Sequence, residues 1–365
     1  MKRILQITGG ALNRNDGIVN FIINIYRHID RSKYQFDFLV IAGTNGDYDA
    51  EVKQLGGKIY YVERLGKNII KHMQQTYAVM KNGDYLAIHR HTANSLSWPD
   101  FYIAKKAGIE NRICHSHGIN SLKPFLHQLC YPLFYRNITY KLACSIAAGN
   151  WLYKKNDIVF IQKNGIDTQQ FQFDEDIRKE QRERLRIDKD TLVVGNVGRL
   201  SIEKNQAVLL EIFSEVLRER NNSLLILLGE GELETQLKSQ AKKLGIADKV
   251  LFPGVSSDVN KWLCAMDIVV YPSLFEGFPI SVLEGEASGL PVIISKEITM
   301  EIDILGTLFS LDLEQDKHVW AKAILNEYEK SKGTPRKEYS CKIRVAGYDI
   351  KNTAKELEAF YDKLR

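Results

Sequence analysis

Thr191-Leu-Val-Val-Gly-Asn-Val-Gly-Arg-Leu-Ser-Ile-Glu-Lys-Asn205 opens as a short apolar strand, breaks at Gly198 into a polar loop, and leads into an amphipathic helix over 205–220. A nearly continuous apolar run bounded by glycine is the pattern of a strand buried on both faces, with the following helix as its cover. Working outward, the unit repeats: a strand at 223–228 precedes a helix at 233–244. Val250-Leu-Phe, Asp267-Ile-Val-Val-Tyr and Pro291-Val-Ile-Ile are short buried strands, with a helix beginning near Phe278 between the last two. Strands alternating with helices imply a parallel sheet joined by right-handed crossovers.

The first half has the same rhythm. Arg3-Ile-Leu-Gln-Ile-Thr is a buried-strand pattern, followed by a loop carrying Gly9, Gly10, Asp16 and Gly17 and a helix-period run, Ile18, Phe21, Ile22, Ile25, Ile29. Strands are expected at 36–41, 58–62, 85–89 and 112–115, and an amphipathic helix at 350–365. The expected fold is α/β, two facing doubly wound Rossmann-like domains. The first spans 1–170 with 350–365 crossing back to it, the second 171–349, and the join falls in the charged stretch 167–190.

A length of 365 residues suits two domains. Five scattered cysteines, none in a CxxC, argue for free thiols in a reducing compartment, and no apolar run is long enough for a membrane span or a signal peptide. A cytoplasmic protein is the expectation. The net charge of +5 hides a division: residues 1–170 carry 22 − 12 = +10, the remainder 28 − 33 = −5. A basic half suits an anionic partner. Nucleic acid is not expected, because no recognition motif accompanies the charge.

Glu276-Gly-Phe-Pro-Ile-Ser-Val-Leu-Glu284 follows a strand and opens a helix through Gly277 and Pro279. Glu276 stands on a loop at the carboxyl end of a strand, where open α/β sheets bind ligands, the amides of Gly277, Phe278 and Ile280 favour an anion, and Glu284, one to two turns into the helix, can still reach hydroxyls of the same ligand. Two solvated surface glutamates are the plain alternative. The loop Gly198-Arg199-Leu-Ser-Ile-Glu203-Lys204 pairs a planar guanidinium with a compact ammonium at a helix start, which suits a diphosphate, or is simply an exposed basic loop. It lacks the G-x-G-x-x-G of nicotinamide enzymes. Gly229-Glu-Gly231 lets backbone approach a ligand, or simply makes a tight turn.

His89-Arg-His91 and His115-Ser-His117 each follow an expected strand and can bond a substrate or serve structure; spacing suggests no third ligand for zinc. The stretch 120–145 mixes aromatics, leucines and cations, and reads either as an interfacial patch for a membrane or as a core helix with snorkelling cations. Three D-x-D triplets, Asp47/Asp49, Asp174/Asp176 and Asp188/Asp190, stand away from any expected site and are discounted.

Glu276-x7-Glu284, Gly198-Arg199…Glu203-Lys204-Asn205, Gly229-x-Gly231, Asn164-Gly-Ile-Asp167 and the Gly9–Gly17 loop together resemble glycosyltransferase family 4, retaining enzymes of the GT-B fold, over essentially the whole chain. Cys144-Ser-Ile-Ala-Ala-Gly-Asn-Trp-Leu-Tyr153 and His115-Ser-His117 are similar to bacterial capsule and exopolysaccharide transferases. The resemblance implies that Arg199 and Lys204 hold the donor diphosphate and stabilise it as it leaves, so that no metal or other cofactor is required. It implies that Glu284 binds the donor ribose, that Glu276 orients the transferred sugar, and that Gly229, Gly231, Gly277, Phe278, Pro279 and Ile280 complete the donor site. His117, with His115 as its rival, would contact the sugar, and the loop at Gly17 would approach phosphate or acceptor. That loop has one glycine where relatives often have two. The implied partners are a nucleotide-sugar, a UDP-sugar by expectation, a lipid-linked saccharide acceptor and the inner, anionic face of the cell membrane.

Overall fold

The structure, a computed structural model, describes residues 1–41, 44–121 and 123–365. The chain forms two compact units, Met1–Gly165 with Ile350–Arg365, and Ile166–Asp349. The chain leaves the first unit after Gly165, ahead of the 170/171 boundary read from the sequence.

The first unit is built on seven strands: β1 (Lys2–Thr8), β2 (Tyr34–Val40), β3 (Ile59–Tyr61), β4 (Tyr85–Thr92), β5 (Asn111–Ser116), β6 (Tyr140–Ala143) and β7 (Phe160–Ile161). Their order is β3-β2-β1-β4-β5-β6-β7, parallel at every pairing. Helix Gly17–His28 starts where Asp16 accepts hydrogen bonds from the amides of Ile18 and Val19, and it buries Val19, Phe21, Ile22, Ile23, Ile25 and Tyr26. That side-chain cap satisfies two of the amides a helix start leaves unpaired.

The terminal helix Ile350–Tyr361 buries Ile350, Thr353, Ala354, Leu357, Phe360 and Tyr361, one apolar stripe at helical spacing. It belongs to the first unit: Tyr34 Oη donates to Asp362 at 2.6 Å, Gln162 Nε2 donates to the Thr353 carbonyl at 3.0 Å, and Glu358 accepts from the Asp30 amide at 2.7 Å. Gly165 lies so close that a Cβ there would stand 2.3 Å from Thr353 Oγ1, so only glycine lets the helix pass.

The second unit has six parallel strands, β8 (Leu192–Val197), β9 (Ser223–Leu228), β10 (Val250–Gly254), β11 (Ile268–Tyr271), β12 (Val292–Ser295) and β13 (Phe309–Leu311), in the order β10-β9-β8-β11-β12-β13. Leu209, Leu210, Phe213, Val216 and Trp320 from the covering helices pack on Leu192, Val194, Leu225 and Val270. Trp320, fully buried, still donates its indole N–H to the Asp312 carbonyl at 3.0 Å. Both units are therefore doubly wound α/β sheets, and in each the order reverses beside its first strand, between β1 and β4 and between β8 and β11.

Strands β6, β7 and β13 were not expected. Tyr140-Lys-Leu-Ala carries a cation mid-strand, Phe160-Ile161 has two residues and Phe309-Ser-Leu three, so none shows a period on its own. The helix placed near Phe278 begins at Ile280, with Pro279 in extended conformation before it.

Candidate functional site

Adjacent parallel strands at a sheet's reversal send their following loops in opposite directions, which opens a crevice at their carboxyl ends. In the second unit those strands are β8 and β11, and the loops are 198–205 and 272–279. Asn205 takes the left-handed conformation (φ 55°) and donates through Nδ2 to the Pro272 carbonyl at 3.0 Å, while Leu274 N donates to the Glu203 carbonyl at 2.8 Å, which ties the two loops together. Gln206 Nε2 donates to the Arg199 carbonyl at 2.9 Å.

This scaffold brings Lys204 to Glu276. Lys204 Nζ donates to both carboxylate oxygens at 2.7 Å, and Ser273 Oγ donates to Oε1 at 2.8 Å. The lysine stem lies over Gly198, where a Cβ would meet Lys204 Cε at 3.4 Å. Arg199 is exposed and holds Glu232 at 3.0 Å, a pairing of two solvated side chains that contributes little to stability and leaves the guanidinium free to change partner. An ammonium and a guanidinium on one loop, with a carboxylate opposite, can bind a phosphate group and a polyhydroxylated neighbour.

Gly277 and Phe278 are buried beside this loop, and the Phe278 ring stacks on Tyr348 with centroids 5.6 Å apart. Glu284, in helix Ile280–Ala287, is partly exposed, yet desolvation pushes its carboxyl up to about 8. Glu286 was not singled out from the sequence. It is 1% exposed and likewise raised to about 8, by desolvation first and by Asp303 second.

The glycines at 229 and 231 have a structural reason. A Cβ on Gly229 would lie 2.1 Å from the Gly198 carbonyl oxygen, and one on Gly231 2.2 Å from that of Leu200. Hydrogen bonds Gly198 N to Leu228 O and Leu200 N to Glu230 O, both 3.0 Å, hold the loops this close. Gly9, Gly10 and Gly17 differ: a Cβ at any of them would meet nothing within 4 Å. Gly9, Gly10 and Asp16 border a cavity of about 610 Å³ in the first unit, with Thr8, Arg90 and Asn94 also on its wall. It lies at the carboxyl ends of β1 and β4, the other reversal point. Arg90 and His72 both bond Asp100 there, at 2.8 and 3.0 Å.

His89 and His91 lie inside β4 and His115 inside β5, not after the strands; only His117 follows one. The register sets His91 beside His115, and alternation places all four rings on one face, under Phe21. His89, His91 and His115 are at most 3% exposed and His117 partly so. Desolvation drives His89 and His117 down to about 3 and the other two well below the ordinary value, so all four rings are neutral at neutral pH. One ring nitrogen of each of His89, His91 and His115 lies within 4.8 Å of the others. The fold thus supplies the third nitrogen that sequence spacing does not reveal.

Helix Pro124–Tyr135, in the 120–145 stretch, presents Phe125 (75% exposed), Leu126, Leu129 (66%) and Leu133 to solvent. These residues are not core, which corrects the core-helix alternative; Leu122 lies outside the described residues. Exposed Lys123, Arg136, Lys154 and Lys155 flank the apolar stripe, and Lys154 sits 4.1 Å over the Tyr135 ring. Among the described residues, no helix is long and apolar enough to cross a membrane. Of the D-x-D triplets, Asp174 caps helix Glu175–Arg184, accepting from the amides of Asp176 and Ile177. Asn164-Gly-Ile-Asp167 lies where the chain passes between units, with Ile166 N bonded to Tyr348 O at 3.0 Å.

Two doubly wound units, the second with a cationic loop and a carboxylate loop at the reversal point of its sheet, form an α/β scaffold whose crevice can take an anionic, polyhydroxylated ligand. Residues 177–324 match the family described as Glycosyl transferases group 1. The chain is 31% identical over 377 residues to the putative glycosyltransferase EpsF of Bacillus subtilis, covering 99% of this chain and 96% of that one. It is 27% identical over 284 residues to the Escherichia coli UDP-Gal:alpha-D-GlcNAc-diphosphoundecaprenol alpha-1,3-galactosyltransferase, 72% of each chain. The crystal structure of Anabaena Alr3699/HepE in complex with UDP-glucose superposes over 100% of both chains with a TM-score of 0.81 at 19% identity. The chain belongs to the group 1 glycosyl transferases, glycosyltransferases of the GT-B type.

Proposed function

We propose that this chain is a retaining, family 4 glycosyltransferase that moves a sugar from a UDP-sugar to a lipid-linked saccharide during capsule or exopolysaccharide synthesis. The observation that carries the reading is the cation pair at the reversal of the second sheet, Lys204 held at 2.7 Å from Glu276 and Arg199 exposed on the same loop. Donor binding replaces two weak or internal pairings by stronger ones. The diphosphate takes Arg199 and Lys204, and Glu276, released from Lys204, orients the sugar hydroxyls. As the glycosidic C–O bond to phosphate breaks, both cations stabilise the negative charge that develops on the leaving diphosphate, so the transfer step needs no metal. The acceptor hydroxyl attacks from the same face, and its proton passes to the departing phosphate oxygen. Glu284 holds the ribose and His117 contacts the sugar; the amides of Gly277, Phe278 and Ile280, with Pro279 opening the helix, line the donor side together with Gly229 and Gly231. The cavity beside Gly9, Gly10 and Asp16, next to the loop at Gly17, suits the acceptor.

UDP appears in the names of the Escherichia coli relative and the Anabaena complex, and the former names a diphosphoundecaprenol acceptor. Both support the proposed substrates. The exposed Phe125/Leu129 stripe with its lysines supports peripheral attachment to the anionic inner face of the membrane.

The test is a screen of sugar nucleotides for nucleoside diphosphate release, with and without chelator. Arg199→Ala and Lys204→Ala should each lower turnover by roughly a hundredfold, the worth of one charge-assisted contact to the leaving group. Activity that survives both changes together refutes the diphosphate assignment. A GT-B-fold epimerase would change the sugar without acceptor, and an inactive binding subunit would hold donor without turnover; the same screen separates both from a transferase.

A further inference from the structure

The four neutral histidines in the first unit form one hydrogen-bonded chain with Gln6 and Tyr361, and its direction can be read atom by atom. His91 Nε2 lies 2.9 Å from Gln6 Oε1, an atom that only accepts, so the proton of His91 is on Nε2. Its Nδ1 is then a bare acceptor. His117 Nε2, 2.9 Å away, must donate to it. The other end of the Gln6 amide donates from Nε2 to the Tyr361 oxygen at 3.3 Å, which leaves the tyrosine proton for His89 Nδ1 at 2.7 Å. His89 then carries its proton on Nε2 and donates to His115 Nδ1 at 3.2 Å. The chain ends at His115 Nε2, which is buried with no partner.

Every bond in this series follows from the orientation of one side-chain amide. Turning Gln6 over would reverse all of them and move the proton of each ring to its other nitrogen. Gln6 is 1% exposed on β1 and Tyr361 is fully buried on the terminal helix. Neither faces the open wall of the unit, so both act through His91 and His117.

We propose that Gln6, oriented by Tyr361, is a positioning residue that fixes His117 as its Nε2–H tautomer and so presents Nδ1 as a permanent acceptor to a hydroxyl of the bound substrate. The proposal rests on the reading that His117 contacts the sugar. It also gives the crossing of the chain's end back to the first unit a chemical role, because the last helix supplies the tyrosine that sets the direction. A metal cage of His89, His91 and His115 is the competing reading of the same cluster. It is disfavoured because both nitrogens of His91 are already bonded outside the three rings, Nδ1 to His117 Nε2 and Nε2 to Gln6 Oε1.

The test is long-range proton–nitrogen correlation on the histidine-labelled full chain without substrate, combined with kinetics. The wild type should show His117 and His91 protonated at Nε2. Gln6→Met should leave His117 as a mixture of tautomers and lower kcat roughly three- to tenfold, one neutral hydrogen bond, with donor KM little changed. Tyr361→Phe should produce a smaller mixture. Gln6→Glu, whose carboxylate still accepts from His91, should restore the His117 signal while moving the His115 proton to Nδ1. A wild-type His117 protonated at Nδ1, or an unchanged His117 signal in folded Gln6→Met, overturns the proposal. So does stoichiometric zinc in the purified chain that is lost in His89→Ala. The ring signals need no substrate, so they stand or fall apart from the role of His117, which His117→Ala kinetics tests.

Discussion

Glu286 gives the sharpest physical test of the second unit. It is 1% exposed, two residues beyond Glu284 on helix Ile280–Ala287, which follows the Glu276 loop. Burial raises it from 4.5 to about 8, Asp303 adds to the effect, and the Thr307 hydroxyl at 3.3 Å opposes it without prevailing. The folded state therefore keeps a proton that the unfolded state has lost between pH 4.5 and about 8. Unfolding releases that proton, so stability falls as pH rises through this window, by about 1.4 kcal/mol per unit, and levels off above it. From pH 6 to pH 9 the loss is about 2.5 kcal/mol for this one group. Glu286→Gln keeps the shape and removes the titration. Any constant cost of the amide cancels in the pH difference, and so do other groups, Glu284 included. Urea unfolding at pH 6, 7, 8 and 9 should show the variant gaining about 2.5 kcal/mol on the wild type across the series. In melting temperature that is roughly 5–10 °C for a unit of this size. Parallel stability curves for the two chains would refute the claim that Glu286 is held protonated by burial.

Gly231→Ala should push the Leu200 carbonyl, which a Cβ would approach to 2.2 Å; a loss of about 1–3 kcal/mol in urea unfolding and a raised donor KM are expected, since the displaced loop carries Arg199. Arg336 donates to the carbonyls of Ser288, Met266 and Leu263, each at 3.0 Å, so Arg336→Met should cost at least about 2 kcal/mol and lower the unfolding midpoint with an unchanged slope. Phe125→Ser and Leu129→Ser, both at exposed positions, should each weaken flotation with anionic vesicles by roughly tenfold, the worth of one inserted apolar side chain, while leaving circular dichroism unchanged.

Much of this fold is legible along the chain because its strands are buried on both faces. Leu192–Val197 and Ser223–Leu228 are mostly apolar runs closed by glycine, too short for a helix and alternating with helical segments, which is the pattern of parallel strands covered on both faces. The loop chemistry at Arg199, Lys204 and Glu276 is legible for the same reason: a strand end followed by a helix start is where such a sheet opens, and the charged residues stand directly there. Edge and near-edge strands such as Phe160–Ile161 escape notice because two residues carry no period. The amphipathic stretch at Pro124–Tyr135 reads two ways, since periodicity gives a stripe but not what covers it.

The sequence by itself determined the α/β alternation and the loops that bear the charges, because each depends on neighbours a few residues apart, and the opposite signs of the two halves, because net charge depends on composition alone. Tertiary structure alone decided that Lys204 meets Glu276 across 72 positions, that three histidines from two strands and His117 just after the second form one array, and that Gln6 reaches Tyr361 across 355. It also decided that Gly229 and Gly231 answer to a neighbouring backbone, whereas Gly9, Gly10 and Gly17 border open space. These facts follow from strand order and register, which bring remote residues within hydrogen-bond reach and which no local pattern of residues encodes.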